Sequence, residues 1–142
     1  MMSEYTRDPQ HLLELSKMEL AAIFDSLKDT KCPPVDKSGF EIAMNFWSSK
    51  WKIPVYTRLI RFEHLRYGEI KKMLSDFGIT NHSLSKTLQE METDKLIVRK
   101  SYNEIPPHVE YSLTDSARKF LPIMLQVSAW ARMQAEILQD SK

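Results

Sequence analysis

Apolar residues recur at helical spacing in the middle of this chain and predict a short helix. The apolar positions lie three, one and three residues apart, which is the repeat of one helix face: Ile70, Met73, Leu74 and Phe77. Gly78 follows at once, and glycine readily takes the left-handed conformation that ends a helix. The segment 68–78 is therefore predicted to be a helix with a defined end, with Gly68 at its N-cap.

A second helix is predicted directly after this glycine. Thr80 or Asn81 can cap its first turn, because a side-chain oxygen at that position accepts a hydrogen bond from a free backbone N–H. Its apolar positions form a narrow stripe that consists of Leu84, Leu88 and Met91. The other positions of this helix are mostly polar. Two short helices joined at a glycine turn predict a helix-turn-helix.

Two short apolar segments after these helices predict a β-hairpin. The first, 96–98, is followed by basic residues and by the turn-rich segment 101–108, which contains Pro106 and Pro107. In the second, 109–113, apolar residues alternate with polar ones, the period of a strand with one buried face. A hairpin in this position is a wing.

Amphipathic helices are predicted on both sides of this unit. One starts at Asp8-Pro9 and keeps an apolar face to about residue 29, and another runs from a Thr114 cap to about residue 139 with a kink at Pro122. The apolar positions of the last helix alternate spacings of three and four, as in two helices that lie side by side. We expect these helices to form a dimer contact, with docking on their own domain as the alternative; the residues assigned to the contact are Leu20, Phe24, Ile123, Val127, Trp130 and Ile137.

Two more helices are predicted before the helix-turn-helix. The first runs from about residue 35 to residue 47, with Phe40 and Trp47 among its apolar positions. The second begins near Lys50, and its predicted buried side consists of Trp51, Val55, Leu59 and Phe62. The 142 residues fit one domain, divided into an N-terminal helix (1–31), a core (32–113) and a C-terminal helix (114–142).

Composition narrows the class of protein. Hydrophobic residues make up 42% and charged residues 27%, which is typical of a soluble globular protein. No apolar run approaches the ~20 residues that cross a bilayer, and residues 1–8 lack an apolar signal segment, so we expect a cytoplasmic protein without a membrane partner. One cysteine and four histidines without ligand spacing predict no metal and no cofactor. No motif for a nucleophile or a phosphate loop is present, so an enzyme is not expected.

The distribution of charge is more informative than the net charge of +1. Residues 1–30 contain three basic and six acidic residues, whereas residues 50–111 contain eleven basic and eight acidic ones. Positive charge is therefore concentrated in the segment that contains the predicted helix-turn-helix and wing, where a nucleic-acid partner requires it.

Several segments resemble the HxlR-type winged-helix transcriptional regulators. The most specific is IPPHVEYSLT at 105–114, and the others are Cys32-Pro33, Lys50-Trp51, YGEI at 67–70, Gly78-Ile79, LSKTL at 84–88 and Leu121-Pro122. This resemblance implies a cytoplasmic, dimeric, bacterial DNA-binding repressor or activator. The implied fold is mainly α with a small β-hairpin, a winged helix-turn-helix with extra N- and C-terminal dimerisation helices. The family often has glycine before Leu96, where this chain has Lys95; a positive φ there would strain the backbone.

The second helix of the helix-turn-helix is the predicted recognition helix. With its apolar stripe turned inward, five polar residues face outward and are the candidates for reading base edges: Asn81, His82, Ser85, Lys86 and Gln89. Asn and Gln can pair with adenine, Lys can donate to guanine, and Ser suits several bases.

Other polar residues are assigned to the DNA backbone. Hydroxyls and free N–H groups at a helix start suit phosphate, and basic residues add charge. The candidates are Thr80, Ser83, Lys50, Lys52, Arg66, Arg99 and Lys100. In the wing, the adjacent minor groove or its phosphates are within reach of Tyr102, Asn103 and His108.

Cys32 is a candidate redox sensor. Some HxlR-type proteins sense oxidants through a cysteine before the first core helix, and Lys31 and Lys37 could lower the pKa of the thiol. A packed small hydrophobe is the alternative. A small-molecule effector is also compatible with the sequence, although no residue set identifies one. For the whole protein, the alternative to a sequence-specific DNA-binding homodimer is a winged-helix protein-interaction module.

Overall fold

The computed structural model describes residues 39–141 and the helical positions Met18 and Ala22. The chain divides into two compact units, Met1–Ile42 and Ala43–Lys142. The predicted N-terminal helix, with Leu20 and Phe24, lies outside the described residues, as do Cys32 and the predicted helix start at residue 35.

Six α-helices and three strands make up residues 39–141. In chain order they are α1 (Gly39–Trp47), α2 (Lys52–Phe62), β1 (His64–Arg66), α3 (Tyr67–Leu74), α4 (Asn81–Thr93), β2 (Ile97–Tyr102), β3 (His108–Leu113), α5 (Asp115–Arg118) and α6 (Phe120–Asp140). A 3₁₀ turn, Ser75–Phe77, follows α3. The predicted fold class is confirmed: mainly α, with a helix-turn-helix (α3 and α4) and a wing (β2 and β3).

The sheet contains a third strand, β1, in addition to the two predicted ones. Its order is β1-β3-β2, and both pairs are antiparallel. In β1, Leu65 lies opposite Tyr111, while the hairpin pairs Ile97 with Leu113 and Tyr102 with His108. Only two strands were predicted, because β1 has three residues with a single buried side chain and so shows no measurable period. This strand joins the wing to the start of α3.

The core lies where α2, α3, α4 and the sheet meet. The predicted stripe of α4 is confirmed, since Leu84, Leu88 and Met91 are all buried. They pack in one cluster with residues of the other elements: Val55, Tyr56, Leu59, Leu65, Ile70, Leu74, Ile79, Ile97, Tyr111, Leu113 and Ala117. On the predicted buried faces of α2 and α3, two residues are exposed. Phe77 is 63% exposed because α3 ends at Leu74 before reaching it, and Phe62, in the last turn of α2, is also exposed.

The turn between α3 and α4 has the predicted chemistry. Gly78 takes a left-handed conformation with φ of 82°, and its N–H donates to the Ser75 carbonyl over 3.0 Å. Thr80 caps α4, because its Oγ1 accepts the Ser83 N–H at 3.1 Å. The assignment of Gly68 as the cap of α3 was wrong. Arg66 holds that position, and its N–H donates to Glu69 Oε2 over 2.7 Å.

The C-terminal helix is interrupted near its start. Thr114 caps α5 as predicted, since its Oγ1 accepts the Ala117 N–H at 3.1 Å. The helix then breaks at Lys119 and resumes as α6. Pro122 explains the break: it has no N–H for the carbonyl four residues earlier, and its ring crowds that carbonyl.

Lys95 has a positive φ, the conformation for which glycine at this position would be favoured. Its φ is +58°, a left-handed value that costs a residue with a Cβ about 1 kcal/mol. The exit from α4 nevertheless keeps its hydrogen bonds, with the Leu96 N–H donating to the Met91 carbonyl over 2.9 Å. The Thr114 hydroxyl donates to the Lys95 carbonyl over 2.8 Å. This hydrogen bond holds the Lys95 conformation in place.

Candidate nucleic-acid interface

The outward face of α4 is polar and open to solvent. The opposite face of the helix carries the buried apolar stripe. All five predicted base-reading residues are exposed: Asn81, His82, Ser85, Lys86 and Gln89. At the start of the helix, Thr80 is exposed and Ser83 is half-buried. Thr80 Oγ1 also donates to Ser83 Oγ over 2.9 Å, so these two hydroxyls lie together at the helix N-terminus.

Tyr67 contacts this face from α3. Its hydroxyl lies 3.2 Å from the Asn81 carbonyl oxygen and 3.2 Å from Ser85 Oγ. Tyr67 is not among the predicted site residues, because its hydroxyl meets α4 only in the folded chain. The ring packs at the edge of the core, so the side chain connects the two helices of the helix-turn-helix at the exposed end of α4.

Lys52 does not lie on this interface, in contrast to its assignment to the DNA backbone. Only 5% of the residue is exposed. Its ammonium group lies 3.4 Å from a Glu90 carboxylate oxygen and 3.6 Å from one of Asp94. An ammonium group held between two carboxylates inside the domain cannot reach a phosphate, so the correction follows from its burial and its partners.

The other predicted phosphate-binding residues with basic side chains are exposed. They are Lys50, Arg66, Arg99 and Lys100. Two of these cations lie against an aromatic ring of their own segment: Lys50 Nζ is 4.8 Å from the Trp51 ring centroid, and Lys100 Nζ is 4.9 Å from that of Tyr102. Such contacts restrain a long side chain without removing its charge from solvent.

The wing presents its residues unequally. The rings of Tyr102 and His108 stack with centroids 4.6 Å apart, and the side chain of His108 is only 15% exposed. Its Nδ1 lies 3.6 Å from Glu104 and its Nε2 lies 3.3 Å from Glu110. Both ring nitrogens therefore face carboxylates, which leaves Asn103 as the most accessible of the three predicted wing residues. Among residues 39–141, neither this cluster nor another group of His, Asp and Glu could hold a metal ion.

Sequence comparison assigns this architecture to a family. Residues 47–139 match the HxlR-like helix-turn-helix family, and this match covers more than half of the chain. The chain belongs to the HxlR-like helix-turn-helix family. It shares 35% identity over 100 residues with an uncharacterized HTH-type transcriptional regulator, BH0655, of Halalkalibacterium halodurans, covering 70% of this chain and 87% of that protein.

Solved structures resemble this HxlR-like chain over more than two thirds of its length. The redox regulator HypR in its reduced form has a TM-score of 0.63 and 31% identity, covering 72% of this chain and 99% of HypR. A protein assigned to the MarR family of transcriptional regulators from Enterococcus faecalis V583 has a TM-score of 0.66 and 29% identity, covering 78% of this chain and 98% of that one. The winged-helix fold is therefore shared.

The C-terminal helix of this HxlR-like chain carries an uncovered apolar surface. Four predicted dimer residues of α6 are exposed: Ile123, Val127, Trp130 and Ile137. Trp130 has the largest exposed fraction of the four, 63%. Phe120, at the start of the helix, instead stacks on Trp47 with ring centroids 4.6 Å apart. Three further apolar residues of this helix, which are not in the predicted dimer set, are also exposed: Leu125, Met133 and Leu138. None of the helices in the described part of the chain has the combination of length and hydropathy needed to span a membrane.

Proposed function

We propose that this HxlR-like protein is a cytoplasmic homodimer that binds an inverted-repeat DNA operator, with one α4 helix in each of two successive major grooves. The observation that carries the proposal is the division of α4 into a buried apolar stripe and an exposed polar face. A helix that enters the major groove needs this arrangement, because one side must pack on the domain while the other meets base edges.

The polar face supplies the groups that base edges recognise. Asn81 and Gln89 suit the N6 and N7 atoms of adenine, and Lys86 suits O6 and N7 of guanine. His82 and Ser85 complete the base-reading set. Phosphate contacts are assigned to Thr80, Ser83, Lys50, Arg66, Arg99 and Lys100, and groove contacts of the wing to Tyr102, Asn103 and His108.

Pairing of two chains through α6 supports the choice of an inverted repeat. Burial of an exposed apolar side chain such as Trp130 stabilises a dimer, and a two-fold dimer buries both copies of the same surface at once. A symmetric dimer then presents two equivalent α4 helices, which fit half-sites about 10 base pairs apart or a multiple of that distance.

Analytical ultracentrifugation tests the dimer. Trp130→Glu places a charge in the centre of the exposed apolar face, so we expect dissociation into monomers at concentrations where the native protein is dimeric. Ser128→Glu is the matched control, since it adds the same charge to a neighbouring exposed position outside the predicted seam. A native monomer, or equal effects of the two variants, would contradict the dimer contact.

DNA titrations at increasing salt test the partner class. A regulator that contacts phosphates should lose affinity steeply as salt rises, and it should still prefer some sequences over others. A protein-interaction module should show neither property. Weak binding that is independent of sequence would favour the alternative, a winged-helix protein-interaction module.

Redox control is a second candidate function, supported by the similarity to HypR, which is named as a redox regulator. Cys32 is the only cysteine of the chain and lies outside the described residues. Oxidation would therefore give a disulfide between two subunits or with a small thiol. Peroxide should change DNA binding by the native protein and leave Cys32→Ser unaffected; an equal response of both proteins would remove Cys32 as the sensor.

A further inference from the structure

We propose that Tyr67 fixes Ser85 as a hydrogen-bond acceptor towards DNA, and that Ser85 thereby selects a base that carries an amino group in the major groove. This inference rests on the proposed role of α4 as the recognition helix. It adds a positioning residue, Tyr67, and a defined chemical preference at one base of each half-site.

The contacts of the Tyr67 hydroxyl carry the inference. This group lies 3.2 Å from the Asn81 carbonyl oxygen and 3.2 Å from Ser85 Oγ. Asn81 and Ser85 are both exposed and lie one turn apart on α4. The hydroxyl thus reaches the same outward face that is assigned to base reading, and it does so from the neighbouring helix.

Proton donors and acceptors can be assigned at these two bonds. A phenol hydroxyl has one proton, and a carbonyl oxygen can only accept. The Tyr67 proton therefore points to the Asn81 carbonyl oxygen. The bond between the two hydroxyls is then donated by Ser85, which uses the single proton of its own hydroxyl.

This assignment leaves Ser85 Oγ with a free lone pair and no free proton. In the major groove, adenine N6 and cytosine N4 carry amino donors, whereas guanine O6 and N7 and thymine O4 are acceptors. A serine with a free proton can meet either kind of group. Ser85 held by Tyr67 can meet only a donor, so we expect it to prefer adenine or cytosine at the base it contacts.

Tyr67→Phe separates this role from packing. The variant removes one oxygen atom and keeps the ring, which packs at the edge of the core. Ser85 then has a free proton and can donate to guanine or thymine. The expected change is a loss of selectivity at one base, rather than a general loss of affinity.

The experiment measures dissociation constants of the full-length protein for duplexes that vary one base pair at a time in both half-sites. Four proteins are compared: native, Tyr67→Phe, Ser85→Ala and the double variant. The position read by Ser85 is the one at which the native protein and Ser85→Ala differ. There the native protein should prefer the amino-bearing bases by about fivefold, the gain typical of one hydrogen bond.

At that position, Tyr67→Phe should bind the four base pairs within about twofold of one another, and the double variant should match Ser85→Ala. Tyr56→Phe is the control, since it removes a hydroxyl that donates to the Ala117 carbonyl in the core and should leave this preference unchanged. The inference is overturned if Tyr67→Phe keeps the native preference, or if Tyr67→Phe has the same effect in the Ser85→Ala background as in the native protein. It is also overturned if no position responds to Ser85→Ala. A native protein that discriminates no sequence would refute the proposed function itself, which is a separate result.

Discussion

The ammonium group of Lys52 lies 3.4 Å from the Glu90 carboxylate and joins the first turn of α2 to the last part of α4. Asp94, just after α4, approaches the same ammonium group at 3.6 Å. Glu90 also lies 4.0 Å from Lys86, one of the proposed base-reading residues. The contact therefore fixes the direction of α4 relative to the core, at the end opposite to Tyr67.

Replacing Lys52 should destabilise the protein without changing its contacts with phosphate. Lys52→Met removes the cation that two carboxylates share, and because both remain partly solvated we expect a loss of about 1–2 kcal/mol in the free energy of unfolding. Urea denaturation measures it. Lys50→Met, at an exposed position, should change stability by less than about 0.5 kcal/mol. Equal losses in the two variants, or a flatter salt dependence of DNA binding in Lys52→Met, would contradict this placement.

Tyr56 should make stability fall at high pH. Burial raises the pKa of its hydroxyl from 10.0 to about 12, although the nearby Arg118 acts in the opposite direction. The folded protein therefore holds this proton more tightly than the unfolded chain. The resulting stability is complete below pH 10 and is lost as the pH rises towards 12, by up to about 3 kcal/mol.

Tyr56→Phe is the control for this pH dependence. It removes the hydroxyl that donates to the Ala117 carbonyl over 2.8 Å, so it should cost about 1 kcal/mol at neutral pH. Between pH 10 and 12 its stability, measured by urea denaturation, should decline less than that of the native protein. Parallel pH profiles would show that other groups cause the decline.

Lys95→Gly should stabilise the protein. The positive φ of Lys95 is strained for a residue with a Cβ, and glycine removes this strain at some cost in chain entropy. We expect a net gain of about 0.5 kcal/mol in the free energy of unfolding. Lys72→Gly, at an exposed position within α3, should instead lose about 1 kcal/mol. Destabilisation by both substitutions would mean that the Lys95 side chain contributes more than its backbone strain costs.

Two lysines should affect DNA binding in different ways. Lys100→Ala should weaken binding to all sequences and reduce the slope of affinity against salt by about 1, since one phosphate contact is lost. Lys86→Ala should change the sequence preference at one base of each half-site. Dissociation constants for a set of operator variants at two salt concentrations separate these effects. If both variants lose affinity without a change in preference, the base-reading role of Lys86 is wrong.

Local patterns were sufficient to predict the helix-turn-helix and much of the surface of α4. The spacing of Leu84, Leu88 and Met91 defines which side of the helix is buried, and its polar side follows from the same period. Gly78 and Thr80 could be assigned because turn and cap chemistry depends on neighbouring residues. These features need no knowledge of distant contacts.

Features that depend on distant contacts were missed. Lys52 is a long charged residue in a first helical turn, which is typical of an exposed position, and only folding brings Glu90 to it. The Tyr67 hydroxyl meets Ser85 for the same reason. Phe77 was predicted to be buried because it continues the spacing of α3, although the helix has already ended at Leu74. Three-residue β1 is too short to show a period.

Selection of bound sequences from random duplex DNA tests the central proposal most directly. The full-length protein should enrich an inverted repeat whose half-sites lie about 10 base pairs apart, or a multiple of that distance, and Lys86→Ala should alter the same base in both halves. Enrichment of no sequence, or of a single unrepeated site, would contradict a dimer that presents two α4 helices to one duplex.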